Sequence, residues 1–338
     1  NYENKLIKNF FIDYDKSIKF KNNKLIISNL DDKLNVKGKG EYLIKDNNID
    51  FFNFEIVKKK DLYNYNISID LTNQKLQIED LEYIKDSKIK SSLELIGRLK
   101  ENQIELESVI FREKKNFINL KNLDIKNNKI LNIDNIELDL SANNKFRNQF
   151  VLKRKNKNFF LDAKSLNFEV LINKMSKNDK SRNLFNIFDN LNSKIEINIA
   201  KANLDSESEI KNISGFVEIK KNKIFNVNLN SSFSDKEKIF LKVKTNSDNS
   251  VITNFSSDRA KPFVKKYKFI KGFDEGNIDF SSSRIGSITK SKLIIDNFKV
   301  QEVPILAKIL TLASLQGIAD LLTGEGIRFT DFEMIYSK

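Results

Sequence analysis

Residues 91–140 read SSLELIGRLKENQIELESVIFREKKNFINLKNLDIKNNKILNIDNIELDL. Apolar residues alternate with polar ones in successive short runs: Leu93 and Leu95, Ile104 and Leu106, Ile118 and Leu120, then Ile136, Leu138 and Leu140. Alternation at period two marks strands with one face toward a core and one toward water. Asn127-Asn128 separates two of the runs, and asparagine tolerates the positive φ that tight hairpins require. The pattern extends outward through Ile67, Ile69 and Leu71, through Leu76 and Ile78, and through Ile195, Ile197 and Ile199, with Asn22-Asn23, Asp31-Asp32, Asn47-Asn48 and Asn143-Asn144 as further breaks. Runs recur roughly every ten to thirteen residues, which gives about twenty strands with short turns and no intervening helices. This predicts a mainly β chain, a long antiparallel meander, and argues against βαβ units. Pro262 and Pro304 both fall outside the strand runs, as continuous ladders require.

Composition narrows the chemistry. The 338 residues are 40% hydrophobic and 31% charged, enough for a sizeable core but not for a membrane-embedded helical bundle. Zero Cys and zero His remove disulfides, thiolate zinc sites, Cys nucleophiles and the usual general base. Carboxylate pairs such as Asp31-Asp32, Glu79-Asp80 and Asp274-Glu275 sit at expected turns or polar faces, without a spacing that fixes a catalytic pair. No phosphate-binding loop, dinucleotide fingerprint or nucleophile elbow is present. The expectation is a protein that is not an enzyme and has no cofactor or metal. Lys and Arg number 59 against 46 Asp and Glu, a net +13. The excess is mostly Lys, spread along the chain beside Asn and Ile. Basic runs such as Lys58-Lys59-Lys60 and Lys114-Lys115 fall at strand ends near turns, so no nucleic-acid partner is expected. Lys265, Lys266, Lys268 and Lys271 flank an expected helix and offer a contact to anionic lipid.

Helix signals are few. Residues 174–191 place Leu184, Phe185, Phe188 and Leu191 at helical spacing. Ser257 and Asp258 suit the N-cap of a helix running through Pro262 and Phe263 to about Tyr267, and Glu302-Val303-Pro304 opens another, to about Leu322, stopped by Gly324. So few helices cannot cover the apolar face of about twenty strands. Either the sheet closes on itself as a sandwich or barrel, or it stays an open, curled groove whose apolar face is filled by acyl chains. Twenty strands at ~4.8 Å would extend ~95 Å, the proportions of a conduit. In the groove reading Ile67, Ile69, Leu93, Leu95, Ile104, Leu106, Ile136, Leu138, Ile197 and Leu229 line one lipid path. The helix from Pro304 then caps the mouth with Leu306, Ile309, Leu310, Ala313, Ile318 and Leu321, while Lys308 and Asp320 argue against its spanning a bilayer.

Residues 291–332 read SKLIIDNFKVQEVPILAKILTLASLQGIADLLTGEGIRFTDF. The strand, the Pro-started apolar helix and the Gly-x-Gly-Ile-x-Phe strand resemble the C-terminal region of AsmA-like proteins, in particular the YhdP-type branch, at Pro304, Leu306, Ala307, Leu310, Ala313, Ser314, Leu315, Gly317, Leu322, Gly324, Gly326, Ile327 and Phe329. Phe273-Asp274-Glu275-Gly276 looks like the same family's turn into a strand. The resemblance implies a repeated β-groove region over 1–250 and an AsmA-like C-terminal segment with two helices over 251–338, incomplete at its C-terminal end. It also implies an inner-membrane protein of a Gram-negative cell, with an N-terminal anchor absent from this chain and its bulk in the periplasm. Phospholipids conducted between inner and outer membranes would be its cargo, and other envelope proteins its partners. The competing expectation is a scaffolding β-protein of the envelope with a closed sandwich core and no transport.

Overall fold

In the computed structural model the described residues are 10–12, 18–30, 32–44, 48–142, 146–170, 172, 184–265, 272–301 and 326–338. The expected alternation yields a mainly β fold, with 73% of the described residues in strands and 5% in helices. The chain divides into two compact units, Asn1–Ser193 and Lys194–Lys338. The division at 250/251 drawn from the resemblance falls between two strands of the second unit.

The first unit contains β1 (Lys19–Leu30), β2 (Lys33–Leu43), β3 (Ile49–Lys59), β4 (Leu62–Asp70), β5 (Leu76–Ile78), β6 (Tyr83–Lys85), β7 (Ser91–Lys100), β8 (Gln103–Glu113), β9 (Asn116–Lys126), β10 (Lys129–Asn132), β11 (Asn135–Ala142), β12 (Phe146–Lys155) and β13 (Asn158–Asn167). Sequential strands pair antiparallel from β1 through β4, then β7 through β9, while β11 pairs with both β9 and β12, and β12 with β13. Two-residue connections make the hairpins tight. Asn127 and Asn128 both hold positive φ, as expected, but so do Lys60, Glu101 and Lys114 in equivalent turns. Asn22-Asn23 does not separate strands: it lies inside β1, where Asn22 at φ 50° makes a bulge against β2. Leu76 and Ile78 likewise leave the main sheet. Among the described strands β5 pairs with β6, as a separate two-stranded ribbon inserted between β4 and β7.

The second unit holds β14 (Ser193–Asn203, its first residue at the boundary), β15 (Glu209–Lys220), β16 (Lys223–Ser232), β17 (Lys238–Thr245), β18 (Val251–Ser257), α1 (Lys261–Val264), β19 (Phe273–Ile285), β20 (Ile288–Val300) and β21 (Ile327–Ser337). From β15 to β21 each strand pairs antiparallel with the next. Its core gathers Val264, Phe273, Ile278, Ile295, Phe298 and Val300, with Phe273, Phe298 and Phe329 stacked at 5.2 and 5.3 Å. α1 is shorter than expected and is capped differently. Its N-cap is Ala260, with no side-chain hydrogen bond. Ser257 accepts the Arg259 N–H, and Asp258 accepts the Lys238 N–H, so both proposed caps are engaged by other backbone groups. Pro262, whose φ is preset for helix, supplies the start instead. Glu275 and Gly276 do not precede a strand but lie inside β19, both at positive φ, and the pairing with β20 keeps its register across them. A Cβ at Gly276 would stand 2.8 Å from the Phe298 Cβ.

Each unit has a strand with one open edge: among the described residues β1 of the first unit pairs with β2 alone, and β21 of the second with β20 alone. Every residue of β1 is exposed, Ile27 to 66% and Leu30 to 74%. The expected helix over 304–322, with Leu306, Ile309, Leu310, Ala313, Ile318 and Leu321, lies outside the described residues, as do 174–183 of the other. Residues 184–187 form one 3-10 turn.

Candidate functional site: an apolar sheet face and its partial roof

Residues directly opposite one another in antiparallel strands project to the same face. In the first unit this produces two adjacent apolar rows that run across the strands. One passes through Phe54, Ile67, Leu95, Val109, Leu120, Ile136, Leu152 and Leu161. The next passes through Phe52, Ile69, Leu93, Phe111, Ile118, Leu138, Phe150 and Ala163. The reverse face along the same strands carries Ser68, Glu94, Ile110, Asn119, Glu137, Val151 and Asp162, a mostly polar set.

Leu106 and Ile104 join the apolar face through a local irregularity. Glu107 is an extra residue in β8 relative to β7, so Ile96 pairs with Ser108 but Gly97 pairs with Leu106. Asn122, opposite it in β9, holds φ 52°. The two bulges shift the alternation by one residue and return Leu106 to the face of Leu95. The chain approaches closely there: a Cβ on Gly97 would lie 2.2 Å from the Glu105 carbonyl oxygen.

Ile67, Ile69, Leu93, Leu95, Ile104, Leu106, Ile136 and Leu138, proposed from alternation, thus share one face of one sheet. Ile197 and Leu229 belong to the second unit. Leu229 sits in a row with Leu241, Phe255, Phe280 and Leu293, and Ile197 is half-buried in β14. Most of the proposed positions are half-buried. Leu138, at 5%, is buried and Ile104, at 38%, is exposed. An apolar row left half open to water, rather than closed by a second layer, is the character of a binding surface.

Part of the face is roofed. The β5–β6 ribbon lies over it with Phe11, which bridges to Leu76, and the Ile12 N–H donates to the Lys75 carbonyl. Leu71, Leu76, Tyr83, Phe111, Leu138 and Leu140 form the buried cluster where roof and sheet meet. A cavity of about 310 Å³ remains between roof and sheet, with no polar atom open to it.

Polar groups pin the roof at its edges. The Lys85 ammonium, 1% exposed, donates to the carbonyls of Thr72, Gln74 and Asp86 at 3.1, 2.7 and 3.1 Å. Asp50, equally buried, accepts from the Asn73 N–H at 3.0 Å and the Gln74 amide at 2.9 Å. Tyr42 donates to the Asp70 carbonyl at 2.6 Å. Asn148 donates to the Leu81 carbonyl and Asn167 to Glu82, tying the ribbon to β12 and β13. Burial pushes the Asp50 carboxyl above its ordinary value and the Lys85 ammonium below its own. Burial also raises the Tyr83 phenol, and its bond to Glu113 adds to the rise.

Among the described residues no three metal-ligating side chains cluster, and no helix is long and apolar enough to cross a membrane. Lys265 is engaged by Glu207 at 2.6 Å, while Lys266, Lys268 and Lys271 lie outside the described residues. Alternation missed Val109, Phe111, Phe52 and Phe54 as lining residues, and the roof altogether. The phase break between Leu106 and Val109, visible in the sequence, was the signal for the first two. Compared with family models, curated proteins and solved structures, the chain matches none.

Proposed function

We propose that this chain binds phospholipids by their hydrocarbon chains along the open apolar face, and that it serves as a periplasmic bridge conducting them between the inner and outer membranes of a Gram-negative cell. The observation that carries the binding is the pair of register-aligned apolar rows left half open along one sheet face. Water bounds those rows in the free protein, and covering them with methylenes recovers about 25 cal/mol per Å² of apolar surface. The sheet's polar reverse face keeps the other side soluble, so the asymmetry suits a trough rather than a core. The membrane context rests on the resemblance at 291–332. The reading assigns the protein no reaction and no cofactor, since a surface of aliphatic and phenyl groups offers no acid, base or nucleophile.

The test is lipid extraction and native mass spectrometry of the purified chain, with copurifying phospholipid expected. A stable, lipid-free monomer that also takes up no lipid from vesicles overturns the reading. Leu106→Asp should abolish crosslinking to a photoactivatable phospholipid while β circular dichroism persists.

A further inference from the structure

We infer that the roofed cavity of the first unit is a terminal pocket for the methyl end of a single linear acyl chain, a subsite that rests on the lipid-binding reading and adds a direction to it. The floor is made by Leu93, Val109, Phe111, Ile118 and Leu120, all members of the two apolar rows. The roof is made by Phe10, Phe11, Leu76, Ile78 and Tyr83. The cavity is therefore a covered stretch of the same surface that runs uncovered through Leu95 and Ile67, and a chain can pass from one to the other without crossing a polar group.

Its size and chemistry decide the occupant. At about 310 Å³ it is roughly twice the ~150 Å³ apolar cavity that stays dry and accepts benzene. That is room for the end of one chain, not for a head group or a pair of chains side by side. Gln77 contributes to the wall, yet no polar atom opens onto the cavity. Two charged side chains buried at the roof are already engaged: Lys85 by three carbonyls, and Glu113 by Tyr83 and Asn116. A phosphate or carboxylate entering would lose its hydration with nothing to replace it, which excludes it. A chain must enter methyl first and leave its head group over the uncovered rows. The pinned ribbon means the pocket exists before the ligand arrives, so little ordering opposes binding.

The experiment uses the intact chain and two photoactivatable palmitates, one with its diazirine at the methyl end and one beside the carboxylate, with the labelled residues mapped by peptide mass spectrometry. The methyl-end probe should label Leu93, Phe111 and Ile118, and the carboxylate-end probe Ile67, Leu95 or Leu106. Val109→Phe, which fills the cavity, should remove the first set of labels and keep the second. ω-Hydroxypalmitate should compete less well than palmitate for the first set, because its hydroxyl would be buried unpaired. If both probes label the same residues along the open rows, the face binds lipid but the terminal pocket is wrong. If neither labels the face at all, the lipid-binding reading fails with it.

Discussion

The Tyr83 hydroxyl donates to the Glu113 carboxylate at 2.9 Å, with both side chains buried, and so fastens the inserted ribbon to the end of a main-sheet strand. Tyr83 also packs edge-on against Phe111, ring centroids 6.0 Å apart. Tyr83→Phe keeps that packing and deletes only the donor. A buried carboxylate deprived of one partner should lower stability by about 1–3 kcal/mol. Denaturant unfolding would show the loss, and amide exchange should quicken in β5 and β6 before the main sheet.

Asp50 gives a pH dependence of defined sign. Its folded-state value is raised, chiefly by burial, so between the ordinary carboxylate range and that raised value the folded chain holds a proton the unfolded chain has released. The stability from this group is present below the ordinary value and is lost as pH rises through the raised one. Asp50→Asn removes that slope. The variant should gain on the wild type as pH increases across this window in thermal melts, and a constant difference would contradict the assignment.

Two aspartates placed on the same face should behave differently. Leu95 is half-buried on the uncovered part of its row, whereas Leu138 is 5% exposed beneath the roof. Leu95→Asp should leave the β circular dichroism and melting cooperativity nearly intact. Leu138→Asp buries an unpaired carboxylate and should cost more than about 4 kcal/mol, or prevent folding. Equal tolerance at both positions would mean that the roof is not seated.

Gly97 tests the irregularity in β7 and β8. Gly97→Ala places a methyl 2.2 Å from the Glu105 carbonyl oxygen, a contact no rotamer relieves. The backbone must shift, and the expected loss is about 1–3 kcal/mol, read from chemical denaturation. The same substitution at Gly286, which has nothing within 4 Å but sits at φ 58°, should cost only the milder backbone strain of that conformation.

Strand content and the polar–apolar division of the sheet were legible because period two is imposed by the pleat itself, and the runs from Ile67 to Leu138 obey it apart from the phase break at Glu107. What alternation cannot convey is which sheet a strand joins. Leu76-Gln77-Ile78 satisfies the pattern as well as Leu93-Glu94-Leu95, yet only the latter enters the main sheet. The turns were partly hidden for a similar reason. Lys60, Glu101 and Lys114 adopt positive φ without being Gly or Asn, because the flanking strand pairs fix the two-residue loop and the backbone strain is borne by the ladder. Ser257 and Asp258 had the right chemistry for a helix start, but the backbone N–H groups of Arg259 and Lys238 claimed their oxygens.

The matched bulges at Glu107 and Asn122 also determine how this chain can change length. Removing Glu107 alone would leave Asn122 without its counterpart, an unmatched extra residue in β9, while plain alternation would still place Leu106 and Ile104 on the face of Val109. Removing Glu107 and Asn122 together would restore uninterrupted alternation in both strands, with Ile104, Leu106, Leu123 and Ile125 still on the apolar side. That pair of positions is thus a place where two strands can shorten in step, whereas a single-residue change elsewhere in a strand interior turns every residue beyond it to the other face. The hairpin tips, such as Gly286-Ser287 between β19 and β20, are where the sequence is free to lengthen or shorten one residue at a time.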